Sequence, residues 1–258
     1  MPATPHTPPL NPWRLCLRLL QFTTHCLICV AVLLTLPLHR RYMPRLAAWW
    51  YGRLLRILNI KLQIRGAPPR DALLCVSNHV SWLDIVIYGH LLKPAFVSKA
   101  EVGNWPVVGA IARATGTLFL PRGAFKTDDT SAQLAESLSH GQSVVLFPEA
   151  TTSDAATPRR FHARLFAAAV DNNAQVQPLA IRYLPEDPSA AGHHPLAPWI
   201  DDAGLGGHLW RLLKHPGLDV AVEFCAPIDS SGHDRNAIAK ACHTAICNAL
   251  APAKTHTA

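Results

Sequence analysis

Two sequence patterns that mark common enzyme classes are missing from this 258-residue chain. It has no Gly-x-Ser-x-Gly sequence, the elbow that presents the serine nucleophile of α/β hydrolases. It also has no Gly-x-x-x-x-Gly-Lys loop, which binds nucleotide phosphates. These absences argue against a serine hydrolase and against a nucleotidase.

Acidic side chains are missing from the first 70 residues, which nevertheless carry ten Lys or Arg. The other 188 residues carry 14 basic and 17 acidic side chains, so the whole net charge of +7 belongs to the N-terminal part. Trp13, Trp49, Trp50 and two tyrosines lie among these basic residues, a combination that suits the surface of an anionic membrane. Nucleic acid is disfavoured as a partner, because the charges flank an apolar stretch and do not form one solvated face.

That apolar stretch, residues 19–36, contains no Asp, Glu, Lys or Arg. Its 18 residues only reach the length at which a helix can span a bilayer. Polar residues dilute its first half, and arginines flank both ends, so no orientation is preferred. We expect a shallow helix, or a hairpin with a second helix at residues 44–59. A secretory signal is a weaker alternative, since no small-residue cleavage site follows.

Seven cysteines, an odd number, occur without a convincing export signal, so reduced thiols are expected. Cys26 and Cys29 have a metal-like spacing but no second pair, and we expect no metal there. The His193-His194 and Asp201-Asp202 pairs are interpreted as loop polarity. The sequence therefore predicts neither a metal nor a cofactor.

A His-x-x-x-x-Asp pair directly follows the apolar run at residues 73–77. In a continuous helix, His79 and Asp84 would lie about 140° apart, so they can meet only if the chain turns between them. Ser81 suits the N-cap of a helix that begins near Trp82 and holds Asp84 in its first turn. A carboxylate beside an imidazole makes a general base; otherwise Asp84 is only a helix-start charge and His79 a loop residue.

Three more blocks follow in order: Phe119-Leu120-Pro121-Arg122, Phe147-Pro148-Glu149-Ala150-Thr151-Thr152, and Val176-Gln177-Pro178-Leu179-Ala180-Ile181. With Asn78-His79 and Asp84, they resemble the four ordered blocks of glycerolipid acyltransferases of the lysophosphatidate acyltransferase type. The joint match covers residues 60–185 and is much more specific than any single block.

The resemblance implies that His79 is the catalytic base and Asp84 its partner, and that Arg122 and Glu149 bind the acceptor. Other residues implied for the substrate site are Phe119, Pro148, Thr151, Thr152 and, more loosely, Lys99, Pro106 and Gly109. A structural ion pair is the alternative for Arg122 and for Glu149.

Two positions depart from the family pattern. Ala150 stands where Gly is usual, which would strain the loop if this residue needs a positive φ. Thr152 stands where many lysophosphatidate acyltransferases have Arg. The continuation through Asp154 resembles a bacterial branch that also includes acyltransferases completing ornithine lipids; alternatively, Thr151 and Asp154 form a helix capping box.

Apolar runs alternate with helical patterns along the rest of the chain, which predicts an α/β fold, a mixed sheet covered by helices. Strands are expected at residues 73–77, 95–98, 117–120, 143–147, 176–183 and 220–224, and helices at 82–92, 130–139, 161–172 and 235–250. Residues 1–65 are assigned to membrane-associating helices and residues 66–258 to the catalytic domain, in which residues 185–207 form a flap or a surface loop.

The family resemblance implies an O-acyltransferase that takes a fatty acyl group from acyl-CoA or acyl-carrier protein, at the cytoplasmic face of a bacterial inner membrane. The favoured acceptor is 1-acylglycerol-3-phosphate, and the alternative is lyso-ornithine lipid. A different class of function, a lipid-binding protein that has lost its chemistry, also fits the two departures.

Overall fold

The structure is a computed structural model that describes residues 10–35, 38, 42–105, 108–120, 128–154, 157–187, 192–200 and 204–251. In these ranges the strands are β1 (Ile60–Arg65), β2 (Leu74–Ser77), β3 (Ala95–Lys99), β4 (Leu118–Leu120), β5 (Val144–Leu146), β6 (Gln175–Tyr183), β7 (Leu218–Phe224) and β8 (Ile228–Asp229). The α-helices are α1 (Pro12–Leu34), α2 (Met43–Ile57), α3 (Trp82–Leu92), α4 (Val108–Ala114), α5 (Asp128–Ser139), α6 (Ala167–Asp171), α7 (Leu205–Lys214) and α8 (Arg235–Leu250).

All these strands belong to one mixed sheet, in the order β1-β7-β6-β2-β5-β3-β4, with β8 paired to β6. The strands from β2 to β6 are parallel to one another, whereas β7 runs antiparallel to β6 and pairs in parallel with β1. Parallel strands end at the same edge of a sheet. The segments that follow β2 and β5, which carry the first and third sequence blocks, therefore leave the sheet at one edge.

Helices cover both faces of the sheet, because successive side chains of a buried strand point to opposite faces. Cys75 of β2 packs in a cluster with residues of α2, α3 and α7. Its neighbours Leu74 and Val76 pack in a second cluster with residues of α8 on the other face. The predicted fold class is confirmed.

Helix α1 has contacts to the domain along its length. The Leu10 amide donates to the Lys214 carbonyl at 3.1 Å, and Leu19 and Phe22 pack against the core. Further along, the buried His25 ring stacks on Trp50 of α2 with centroids 4.7 Å apart. The helix has 23 residues, mostly apolar, and is long enough to cross a membrane. Only 17% of its most apolar 18-residue window is buried in the protein. Much of its apolar surface therefore faces outward.

Several elements differ from the sequence expectations. The single helix expected at residues 161–172 is a 3₁₀ turn, Ala163–Phe166, followed by the short α6. Residues 205–207, expected in the flap or loop, begin α7. Strand β1 was not expected, and it pairs with β7. The sheet therefore begins inside residues 1–65, the segment assigned to the membrane helices.

Candidate active site

The His79 segment connects β2 to α3 and is held from the side by β6. The Asn78 side chain exchanges two hydrogen bonds with the backbone of Ile181, each 2.9 Å long, and it is almost fully buried. These paired bonds fix the start of the turn, so that His79 leaves the sheet edge in a defined direction.

His79 and Asp84 meet because the chain turns between them. The Nδ1 atom of His79 lies 2.8 Å from Oδ2 of Asp84. The same Oδ2 accepts backbone N–H bonds from Val80 at 2.7 Å and Ser81 at 3.0 Å, and Ser81 is the N-cap of α3. An ionised carboxylate only accepts hydrogen bonds, so the network assigns the hydrogen to Nδ1 of His79 and leaves its Nε2 lone pair free to take a proton.

Tyr183, the last residue of β6, completes the surroundings of Asp84. Its hydroxyl donates to Oδ1 at 2.6 Å. Burial, and after it the nearby Asp84 carboxylate, raises the pKa of Tyr183 well above its usual value, so the hydroxyl stays a donor. Four donors therefore surround a carboxylate that is itself fully buried.

The loop after β5 holds His79 from three sides. Phe147 stacks on the imidazole, with ring centroids 4.0 Å apart. Glu149 accepts the His79 backbone N–H at 2.8 Å, and the Ser153 N–H donates to the His79 carbonyl at 2.9 Å. Both backbone polar groups of His79 are thus bound by the loop after β5.

Glu149 is only 3% exposed, and its second carboxylate oxygen accepts the Arg159 backbone N–H at 2.8 Å. Burial is the largest influence on its pKa and raises it, although these two backbone donors oppose the shift. Sequence reasoning assigned Glu149 to the acceptor, whereas its carboxylate here holds the backbone of His79.

The two departures from the family pattern have structural counterparts. Ala150 has a φ of +57°, the left-handed conformation that glycine adopts more readily, which costs a residue with a Cβ about 1–2 kcal/mol. The Thr152 hydroxyl donates to the carbonyl of Trp199, and the Trp199 N–H donates to the Val80 carbonyl at 3.0 Å. Thr152 thus connects the third block to the turn that carries His79.

The structure describes four more of the predicted site residues, Pro148, Thr151, Phe119 and Lys99. Pro148 is buried and its carbonyl accepts the His162 N–H at 2.9 Å, whereas Thr151 is exposed. Phe119 lies on the edge strand β4, separated from β5 by β3. Lys99 ends β3, while Arg122 and Pro106 lie outside the described residues.

Gly109 has a clear steric reason to be glycine. A Cβ at this position would lie 2.1 Å from the Gly103 carbonyl oxygen. The glycine therefore allows α4 to approach the preceding turn.

One side-chain cluster in the described ranges has a metal-like composition. The Nε2 atoms of His194 and His215 lie 3.7 and 3.8 Å from one oxygen of Glu186. However, the Nδ1 atoms of both rings accept backbone N–H bonds, from Leu196 at 3.1 Å and Gly217 at 3.3 Å. A neutral ring then carries its hydrogen on Nε2, so the lone pair that a metal needs is absent and the cluster fits histidines facing a carboxylate.

Sequence reasoning missed two site residues, Tyr183 and Phe147, although both lie in segments that it identified. The only available signal for Tyr183 was its position as an aromatic residue at the end of the strand expected at residues 176–183. Its contact with Asp84 depends on the pairing of β6 with β2, which the sequence does not specify.

Comparison with known proteins agrees with this geometry. A family model described as Acyltransferase matches residues 59–182. The lyso-ornithine lipid O-acyltransferase of Pseudomonas aeruginosa is 39% identical over 218 residues, 83% of each chain. The 1-acyl-sn-glycerol-3-phosphate acyltransferase of Neisseria gonorrhoeae is 35% identical over 71% of this chain and 72% of its own.

The fold has a counterpart among solved structures. The 1-acyl-sn-glycerophosphate acyltransferase of Thermotoga maritima superposes with a TM-score of 0.64 at 19% identity, covering 95% of this chain and 99% of that one. This likeness shows the fold, and the sequence relatives show that the chain belongs to the Acyltransferase family of lysophospholipid acyltransferases and is an acyltransferase.

Proposed function

We propose that the protein transfers a fatty acyl group from a thioester donor, acyl-CoA or acyl-carrier protein, directly to a hydroxyl group of a lysolipid. The observation that carries the mechanism is the His79–Asp84 pair. The His79 side chain is 16% exposed, whereas Asp84 is fully buried. Only the imidazole of this pair can reach a substrate.

In the proposed reaction, Nε2 of His79 removes the proton of the acceptor hydroxyl while that oxygen attacks the thioester carbonyl. The tetrahedral oxyanion collapses as its carbon–sulfur bond breaks. The products are an oxygen ester and a thiolate, which can take the proton back from the imidazolium. Asp84 stabilises that imidazolium and keeps the ring in one tautomer.

Glu149 acts as a positioning residue in this proposal. It accepts the backbone N–H of His79 and so fixes the point from which the imidazole projects. The Phe147 ring limits rotation of the imidazole from one side. The third sequence block thus aligns the base.

Lyso-ornithine lipid is the acceptor that we favour. The sequence alone placed 1-acylglycerol-3-phosphate first, but the Pseudomonas aeruginosa relative supports the reverse order. Thr152 replaces an arginine that many lysophosphatidate acyltransferases have, and its hydroxyl is bound to the Trp199 carbonyl. Lysophosphatidate is the second candidate, supported by the Neisseria gonorrhoeae relative. Arg122, Lys99, Thr151 and Phe119 are retained as proposed acceptor-site residues.

A groove between α1 and α2 is our candidate for the distal part of the acyl chain. It is lined almost wholly by apolar atoms, and Ile111 of α4 is among the lining residues. We further propose that α1 and α2 hold the protein on the cytoplasmic face of a bacterial inner membrane, where a lysolipid can enter laterally.

The acceptor is tested by offering both lysolipids to the membrane-reconstituted protein. We expect labelled acyl-CoA or acyl-carrier protein to yield ornithine lipid with a kcat/KM at least tenfold above that for phosphatidate. The reverse preference would restore lysophosphatidate as the acceptor. Product from neither lipid, with the protein folded and bound to vesicles, would contradict acylation of both acceptors.

A further inference from the structure

Helix α7 has an unusual outer surface for a ten-residue helix. Its inner side buries His208, Leu212 and Leu213, whereas Trp210 remains 44% exposed. The Lys214 ammonium lies over the Trp210 ring, 5.4 Å from its centroid, and Arg211 is exposed beside them. A tryptophan among basic residues is typical of helices that lie in a membrane interface.

The end of α7 is bound to the start of α1. Besides the Leu10 bond to Lys214, the Arg18 guanidinium donates to the carbonyls of Leu213 and Pro216, each at 3.2 Å, and also to that of His215. The start of α1 and the C-terminal end of α7 are therefore fixed to each other.

Exposed residues on the two elements define what we name the α1–α7 surface: Trp13, Arg14, Leu17, Trp210, Arg211 and Lys214. Trp13 is 76% exposed and Leu17 is 47% exposed. Neither helix contains an acidic residue. An aromatic and basic surface complements anionic head groups, and it continues into the outward apolar side of α1 at Leu20 and Leu27.

We propose that the α1–α7 surface rests on an anionic lipid bilayer, so that α7 is an interfacial helix in addition to the two N-terminal ones. An acidic carrier protein would also be attracted by the basic residues. The bilayer is favoured because the surface is continuous with exposed leucines of α1, which need an apolar environment.

Helix α7 also contacts α3, the helix that contains Asp84. The Nε1–H group of Trp82, the first residue of α3, donates to Nδ1 of His208 at 2.8 Å. The other ring nitrogen of His208 lies 2.8 Å from the Leu196 carbonyl oxygen. A bilayer beneath α7 would therefore be held at a fixed position relative to the helix that contains Asp84.

The test is vesicle co-sedimentation of the full chain, which needs no turnover and so does not depend on the proposed reaction. Vesicles contain 30% phosphatidylglycerol in phosphatidylcholine. The variant is Arg211→Glu with Lys214→Glu, and the matched control is Arg235→Glu with Lys240→Glu on α8, which packs on the other face of the sheet. Each basic residue near an anionic surface is worth about fivefold in partitioning.

We expect the α7 double variant to lose about thirtyfold or more in partitioning, and the control to stay within about threefold of the parent. Trp210→Ala should also weaken binding to pure phosphatidylcholine, because its indole inserts without regard to charge. Equal losses in the two double variants would show a net-charge effect and overturn the proposal. Unchanged vesicle binding with a selective loss of activity toward acyl-carrier protein donors would overturn it in favour of the carrier protein.

Discussion

Replacing His79 by alanine is expected to lower acyl transfer by about a thousandfold or more. The Nε2 atom is the proposed acceptor of the hydroxyl proton, and a positioned general base commonly contributes a factor of 10² to 10⁴. Remaining turnover would come from substrate alignment and from backbone donors to the oxyanion. The measurement is kcat/KM for the better lysolipid at saturating thioester donor.

His140→Ala is the matched control, since His140 is exposed near the end of α5. It should keep activity near that of the parent, and both variants should bind vesicles equally. Parental turnover by the His79 variant would show that another group removes the proton.

Asp84→Asn is expected to cause a loss of similar size, about 10³ to 10⁴ in kcat. The amide has nearly the same volume, and its oxygen can still accept from His79, Val80 and Ser81, but it carries no negative charge. A neutral amide cannot stabilise the imidazolium that forms when His79 takes the proton. The opposite rotamer, which would place the hydrogen on Nε2 of His79, is opposed by the Val80 and Ser81 N–H donors. The measurement is the single-turnover rate with donor and acceptor both bound.

Tyr183→Phe provides a graded comparison for that variant. It removes one hydrogen bond to Oδ1 and leaves the three bonds to Oδ2 in place. We expect a smaller loss of about ten- to a hundredfold, because a single hydrogen bond to a charged group contributes about 1.5–3 kcal/mol. If the two variants lost activity equally, the Nδ1 contact with Asp84 would not be the feature that matters.

Local signals were sufficient to predict the centre of the site. The apolar run before Asn78 and the Ser81 cap predicted a helix at residues 82–92, and α3 has these bounds. The turn that the five-residue spacing required is present between His79 and Asp84. These features are encoded within a dozen residues, where periodicity and capping are informative.

Features that depend on which strands pair in the sheet could not be predicted from the sequence. The contact of Tyr183 with Asp84 requires the particular order of strands, and the backbone bonds of Glu149 require β5 to lie beside β2. A family motif identifies Glu149 but does not distinguish an acceptor ligand from a residue that positions the base. Its burial and its two backbone donors support the second interpretation.

Helix α7 and strand β1 were missed for different reasons. Gly206 and Gly207 lower the helix propensity at the start of α7, and the preceding residues are rich in proline and glycine. In β1, the apolar Ile60, Leu62 and Ile64 alternate with polar residues, a strand pattern, but it was counted with the basic N-terminal segment. Its pairing with β7 places it in the sheet.

Direct transfer from the thioester to a lipid hydroxyl at His79 makes thiol release in a single turnover depend on the acceptor. Enzyme in excess over acyl-CoA or acyl-carrier protein is mixed first without acceptor and then with lyso-ornithine lipid or lysophosphatidate. We expect that the donor alone releases little thiol. Once the preferred lysolipid is present, thiol and labelled lipid should form in equal amounts. A stoichiometric burst of thiol without acceptor, with label retained on the protein, would contradict direct transfer and indicate a covalent acyl-enzyme.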